Sequence, residues 1–149
     1  MKVYLDACCL NRPFDDQTQD RIHLESEAVL TVLKHIEAGD WVWIVSSVVL
    51  FEIGETPNQE RKRRVLKLCE KASSSIGLDE EIRLFAESLK ACGFSTYDAL
   101  HLACARQAGV DVFLSTDDKL IKRAQRYSDF VALNVRNPLS WLQEVLYST

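Results

Sequence analysis

A chain of 149 residues, 47% hydrophobic and 27% charged, has room for one domain (1–149) with a sizeable core and the balance of an ordinary globular protein. No apolar run is long enough to span a membrane, and the opening Met1-Lys2-Val3-Tyr4-Leu5 reaches Asp6 too soon for a signal peptide, so a cytoplasmic location is expected. The formal net charge of −4 excludes broad nonspecific attraction to phosphates, and any nucleic-acid contact would have to be local.

Val3, Tyr4 and Leu5 read as a short buried strand that stops at Asp6. In an open α/β sheet ligands bind outside the carboxyl ends of the strands, which makes Asp6 a candidate; a plain turn cap is the competing role. The next ten residues read as a turn-rich loop around Asn11-Arg12-Pro13, with Asp15 and Asp16 in it. From about Asp20 to Ala38, Ile22, Ala28, Val29, Val32, Leu33 and Ile36 form a helical apolar stripe that Gly39 closes. Trp41 to Val45 reads as a second strand.

Ser46 or Ser47 then caps a short helix, Val48 to Gly54. Glu52 is the one ionisable group in this run, so the pattern predicts a buried helix. A buried carboxylate costs several kcal/mol unless it is paired or bound to a cation. Glu52 is therefore either a ligand or a structural residue, at an exposed edge or paired with an arginine.

Pro57 opens a basic amphipathic helix to about Ala72, broken by Ser73-Ser74-Ser75. Asp79 caps a further helix whose core face is Ile82, Leu84, Phe85, Ala86 and Leu89, ended by Cys92-Gly93-Phe94. Ser95 and Asp98 have the spacing of a capping box ahead of the small, apolar run Ala99 to Ala105, which Gly109 closes. Capping and metal binding are compatible roles for Asp98, since a carboxylate has two oxygens. Asp111 to Leu114 is another buried strand, running into Ser115-Thr116-Asp117-Asp118 and repeating the opening arrangement of strand then acid. Lys119 to Tyr127 reads as a helix, Phe130 to Val135 as a last strand and Pro138 to Tyr147 as a closing helix. This alternation predicts an α/β fold with a mostly parallel sheet covered on both faces.

Five cysteines without a Cys-x-x-Cys spacing, and three scattered histidines, point to small buried thiols rather than a disulfide framework or a zinc site. Two basic stretches, Arg61 to Arg64 with Lys67, and Lys119, Lys122, Arg123 and Arg126, are solvated helix faces or local phosphate contacts. Asp6 and Asp117 follow buried strands, while Glu52 and Asp98 lie on helices that follow a strand or turn. Parallel βα units can bring all four to one sheet edge. Carboxylates at such range repel one another, and a hard divalent cation removes the conflict. All-oxygen ligands suit Mg²⁺ or Mn²⁺, and such a cluster serves phosphodiester cleavage.

Tyr4-Leu5-Asp6-Ala7-Cys8-Cys9-Leu10-Asn11-Arg12-Pro13-Phe14, Phe51-Glu52-Ile53, Asp98-Ala99-Leu100-His101-Leu102-Ala103 and Leu114-Ser115-Thr116-Asp117 together resemble the PIN domain family across essentially the whole chain. The resemblance implies a three-layer α/β/α fold and a ribonuclease whose acidic quartet, Asp6, Glu52, Asp98 and Asp117, binds Mg²⁺ or Mn²⁺. Similar compact proteins include the VapC-type toxins of bacterial toxin–antitoxin pairs, which implies an RNA substrate, a small antitoxin partner, homodimers and no membrane. The family often has Ser or Thr directly after the first Asp, where this chain has Ala7; Asn11 and Ser115 are the candidates to orient Asp6 instead. Ser115, two residues earlier, favours Asp117 over Asp118. The alternatives are a PIN-like binding module that has lost turnover and a haloacid-dehalogenase-like phosphatase. The phosphatase needs a second Asp where Cys8 stands, and a response-regulator receiver fits poorly with acids on helices.

Overall fold

Lys2–Leu5 forms β1, the middle strand of a five-stranded, wholly parallel sheet. Val3, Tyr4 and Leu5 are all buried, as a strand covered on both faces requires. The computed structural model describes residues 1–147, in which β1 is followed by α1 (Ala7–Asn11), a 3₁₀ turn at Arg12–Phe14 and α2 (Asp20–Glu37). Next come β2 (Val42–Ser46), α3 (Ser47–Gly54), α4 (Gln59–Cys69) and β3 (Ser74–Ile76). After α5 (Glu80–Ala91) and α6 (Thr96–Ala108) the chain enters β4 (Val112–Leu114). It ends through α7 (Asp118–Arg126), α8 (Ser128–Val131), β5 (Val135–Arg136) and α9 (Pro138–Tyr147).

The strand order is β3-β2-β1-β4-β5, with Val3 opposite Trp43 on one side and Tyr4 opposite Phe113 on the other. The chain winds outward from β1 to β3, then returns to pair β4 with the free side of β1. Helices flank the sheet in a three-layer α/β/α arrangement, as the usual right-handed crossover on either side of that return requires. α2 packs against α9, with Trp41 edge-on to Trp141 at 5.1 Å, while α5 packs against α6. The reversal of strand order opens a crevice beyond the carboxyl ends of β1 and β4, which is where such sheets bind ligands. No helix among the described residues is long and apolar enough to cross a membrane.

Local signals account for most element ends. Ser46 caps α3, Asp79 caps α5 and Ser95 caps α6, each accepting from a backbone N–H of the first turn. Gly39 follows α2 at φ +84° and Gly109 closes α6 at φ +68°, the left-handed conformation that glycine adopts without a Cβ penalty.

Several expectations are corrected. The loop expected after Asp6 begins with α1, because the Asp6 carboxylate accepts the Ala7 N–H and nucleates a turn at once. α4 starts at Gln59 under an Asn58 cap, not at Pro57. Ser74–Ile76, expected as a helix break, is an edge strand pairing with β2. In place of a strand from Phe130, residues 128–131 are helical and Ala132 turns at φ +55°, leaving a two-residue β5. α3 buries only Val48, Val49 and Ile53; Leu50 and Phe51 face outward. Leu84 is likewise exposed on α5, since its neighbours Ile82, Ala86 and Leu89 already fill the contact with α6.

Candidate active site

Asp6 stands at the carboxyl end of β1, nearly fully buried. One carboxylate oxygen accepts the Ala7 N–H at 2.8 Å; the other accepts the Ser115 hydroxyl at 3.0 Å and lies 3.5 Å from the Cys8 thiol. Ser115 follows β4 and is fully buried, and its Oγ accepts the Asp117 N–H at 3.1 Å. One hydroxyl thus couples the acid after β1 to the backbone of the acid after β4, with 109 positions separating Ser115 from Asp6. Ala7 has no hydroxyl, and Ser115 stands in for it across the sheet. Asn11 is used elsewhere, donating to the Ala7 carbonyl at 3.0 Å.

α3 carries Glu52 into the same crevice, with its side chain 34% exposed. Its partner is a histidine, not an arginine: His101 Nε2 lies 2.7 Å from Glu52 Oε1 and 3.7 Å from Asp6 Oδ1. Donor atoms of Asp6, Glu52 and His101 all lie within 4.8 Å of one another. Asp98 stands in the first turn of α6, three residues before His101, which puts both on one helix face. Of the expected capping box, Ser95 Oγ accepts the Asp98 N–H at 3.2 Å, which leaves the carboxylate for the crevice.

The electrostatics of these groups are coupled. Burial, then the charges of Asp6 and Asp117, push the Asp98 carboxyl up to about 6, partly opposed by the Ser95 hydroxyl and His101. Asp6 is also raised, first by burial and then by Glu52, against the pull of His101 and Ser115. Burial disfavours the charged form of His101, but the bond to Glu52 and the charges of Asp6 and Asp98 outweigh it, and its pKa is raised. The four acids expected from the sequence therefore share one electrostatic neighbourhood. The tightest group within it is Asp6, Glu52 and His101.

Asp117 lies on the exposed side, where it caps α7 by accepting the Lys119 and Leu120 N–H groups at 3.0 and 3.3 Å. Asp118 is turned to Arg21, whose two terminal nitrogens grip its two oxygens at 2.8 Å each. Arg21 is held in turn by Glu25, fully buried on α2, which also accepts Arg12 Nε at 2.9 Å and Asn137 Nδ2 at 2.5 Å. The basic stretches are partly committed to internal contacts. Arg61 pairs with Asp15 at 2.8 Å, Arg63 and Arg64 pair with Glu60, and Arg123 donates to the Gly93 carbonyl.

Sequence reasoning passed over His101 and Glu25. The available signals were position: His101 is one turn beyond Asp98, and Glu25 interrupts the apolar stripe of α2 three residues after Ile22.

The fold and site define an α/β protein that gathers carboxylates where the strand order of a parallel sheet reverses. The PIN domain family model matches residues 3–126, and the chain belongs to that family. Membership sets aside the phosphatase alternative. Among solved structures, VapBC-1 from nontypeable Haemophilus influenzae is similar at a TM-score of 0.59 and 18% identity, over 93% of this chain and 98% of that one. VapBC2 from Rickettsia felis, bound to a DNA fragment from its promoter, is similar at 0.56 and 12%, over 92% and 98%. PAE2754 from Pyrobaculum aerophilum is similar at 0.58 and 13%, over 98% and 90%. At these identities the likeness is one of fold. No curated protein matches the chain.

Proposed function

We propose that this protein is a Mg²⁺- or Mn²⁺-dependent ribonuclease that hydrolyses phosphodiester bonds. The observation that carries this reading is the group of Asp6, Glu52 and His101, whose donor atoms lie within 4.8 Å of one another, with Asp98 nearby pushed up to about 6 by burial and by the charges of Asp6 and Asp117. Such a cluster is electrostatically unfavourable by itself, and its donors are mainly hard oxygens, the set that Mg²⁺ and Mn²⁺ prefer. Asp6, Glu52, Asp98 and Asp117 would hold the ion. When bound, such an ion neutralises charge on the phosphodiester and makes water a better nucleophile. The chain's own contribution is orientation. Ser115 and the Ala7 N–H hold both oxygens of Asp6, and the first turn of α7 holds Asp117.

The resemblance to VapBC proteins supports a toxin role with an antitoxin partner. An apolar cleft of about 480 Å³ between α3 and α6, lined by Val48, Phe51, Leu78, Tyr97 and Leu100, supports docking of a protein partner. The test of the nuclease reading is cleavage of a mixed RNA substrate in Mn²⁺, with circular dichroism as the folding control. Asp6→Asn, Glu52→Gln, Asp98→Asn and Asp117→Asn should each lower cleavage by ~100-fold or more, since even residues that only support a metal ligand are worth about 10–100-fold. Asp118→Asn should be milder, because Asp118 is turned to Arg21. Full activity in folded Asp6→Asn and Asp98→Asn variants would refute the mechanism.

A further inference from the structure

Beneath the acids runs a chain of buried polar groups. Val49 N–H donates to Ser46 Oγ at 3.1 Å, Ser46 Oγ lies 2.6 Å from the Tyr4 hydroxyl, and that hydroxyl lies 2.7 Å from His101 Nδ1. His101 Nε2 then meets Glu52 at 2.7 Å. Ser46, Tyr4 and His101 are almost wholly removed from solvent, so an unmade bond anywhere along this line is costly.

With Glu52 as a carboxylate, only one orientation of the protons satisfies every link when His101 is neutral. Ser46 donates to Tyr4, Tyr4 donates to Nδ1, and Nε2 carries its hydrogen to the Glu52 carboxylate. The reverse tautomer would set the bare Nε2 lone pair against a carboxylate oxygen. A protonated ring also carries hydrogen on Nε2. In both states the nitrogen that faces the crevice is a donor, and a neutral ring has its one lone pair occupied by the Tyr4 hydroxyl.

We propose that His101, braced by Tyr4 and Ser46, is a positioning residue that aims Glu52 beside Asp6, and is not itself a ligand of the cation. Mobility is the problem this solves. Glu52 sits on an eight-residue helix with its side chain a third exposed, and His101 is its one side-chain partner among the described residues. Tyr4 is held in place by stacking on Phe113 at 5.0 Å, so the orientation of Glu52 is referred back to the two central strands. The role rests on the nuclease reading for the identity of the cation, but not for the hydrogen bond itself.

Three measurements test it. In the metal-free protein, NMR should show a His101 Nε2–H resonance that Glu52→Ala abolishes; its absence from the wild type overturns the proposal whatever the metal does. Mn²⁺ affinity, measured by calorimetry, should weaken by about 10–100-fold in His101→Leu and recover substantially in His101→Gln, whose amide N–H can reach Glu52. Tyr4→Phe, nearly isosteric, should fall between them, and decides the matter if His101→Leu fails to fold. Electron spin-echo spectra of the Mn²⁺-loaded protein should lack imidazole nitrogen coupling. A resolved coupling, or wild-type Mn²⁺ affinity in folded His101→Leu and Tyr4→Phe, overturns the proposal. Failure of the wild type to bind Mn²⁺ would instead sink the nuclease reading, leaving the N–H resonance to decide the positioning role.

Discussion

Replacing Asp98 by Asn should stabilise the metal-free protein and remove part of its pH dependence. Folding moves this carboxyl from its ordinary value near 3.8 up to about 6, so the native state holds the proton more tightly than the unfolded chain. A group raised in this way contributes stability that is fully present below about pH 4 and is lost as pH rises through about 6. At about 1.4 kcal/mol per pH unit the loss is bounded near 3 kcal/mol, and solvent screening at this partly exposed carboxylate brings it to about 1–2 kcal/mol. For a chain of this size that corresponds to roughly 3–6 °C in Tm at pH 7. The assay is thermal unfolding in EDTA from pH 4 to 8, read as the difference between Asp98→Asn and the wild type. The difference should open between pH 4 and 6 and then stay constant. His101, also raised, acts in the same direction but at higher pH, and its contribution should survive in the variant. Saturating Mn²⁺ should reverse the ranking at pH 7, because the wild type alone keeps the full carboxylate set. Equal stability of the two metal-free proteins at pH 7, with parallel pH profiles, would refute the reasoning.

Glu25→Ala should cost about 2–4 kcal/mol in urea unfolding, because it leaves Arg12, Arg21 and Asn137 facing an empty buried site, while Glu25→Gln should cost less. A loss under about 1 kcal/mol would reduce the network to surface pairing. Neutralising Lys119, Lys122 and Arg126, which have no ion-pair partner among the described residues, should flatten the salt dependence of RNA binding by about 0.7 for each phosphate these side chains neutralise in the wild type. Neutralising Arg63 and Arg64, already paired with Glu60, should change it less. A slope unchanged from the wild type in both variants would assign the two stretches to plain solvated surface.

Where the determining physics is local, the chain could be read directly. Val3 to Leu5 and Val112 to Leu114 are apolar runs too short for helices, and both are buried strands of the sheet. Ser46, Asp79 and Ser95 each serve the orphan N–H groups of the turn that follows them, so the caps were visible beside the helices they start. The four acids were visible as carboxylates at the ends of such elements, and the α/β alternation implied one edge on which they could meet.

What the tertiary structure alone decided lies in contacts between distant positions. Ser74–Ile76 has no apolar pattern and is a strand only because β2 offers it hydrogen bonds, and β5 owes its two residues to β4 in the same way. Phe130 has strand propensity, yet it falls in a helical turn packed near Phe85, 5.3 Å between ring centroids. The acids' electrostatics, too, depend on closure of the fold. Ser115 reaches Asp6 across 109 residues, and His101 reaches Tyr4 across 97. Neither bond leaves a mark in local propensity, because a hydroxyl or an imidazole in a helix or loop is equally consistent with facing water. Burial makes the difference: once the crevice excludes solvent, each polar group must find its partner inside, and that pairing sets which of the visible carboxylates are tied to Ser115 and His101.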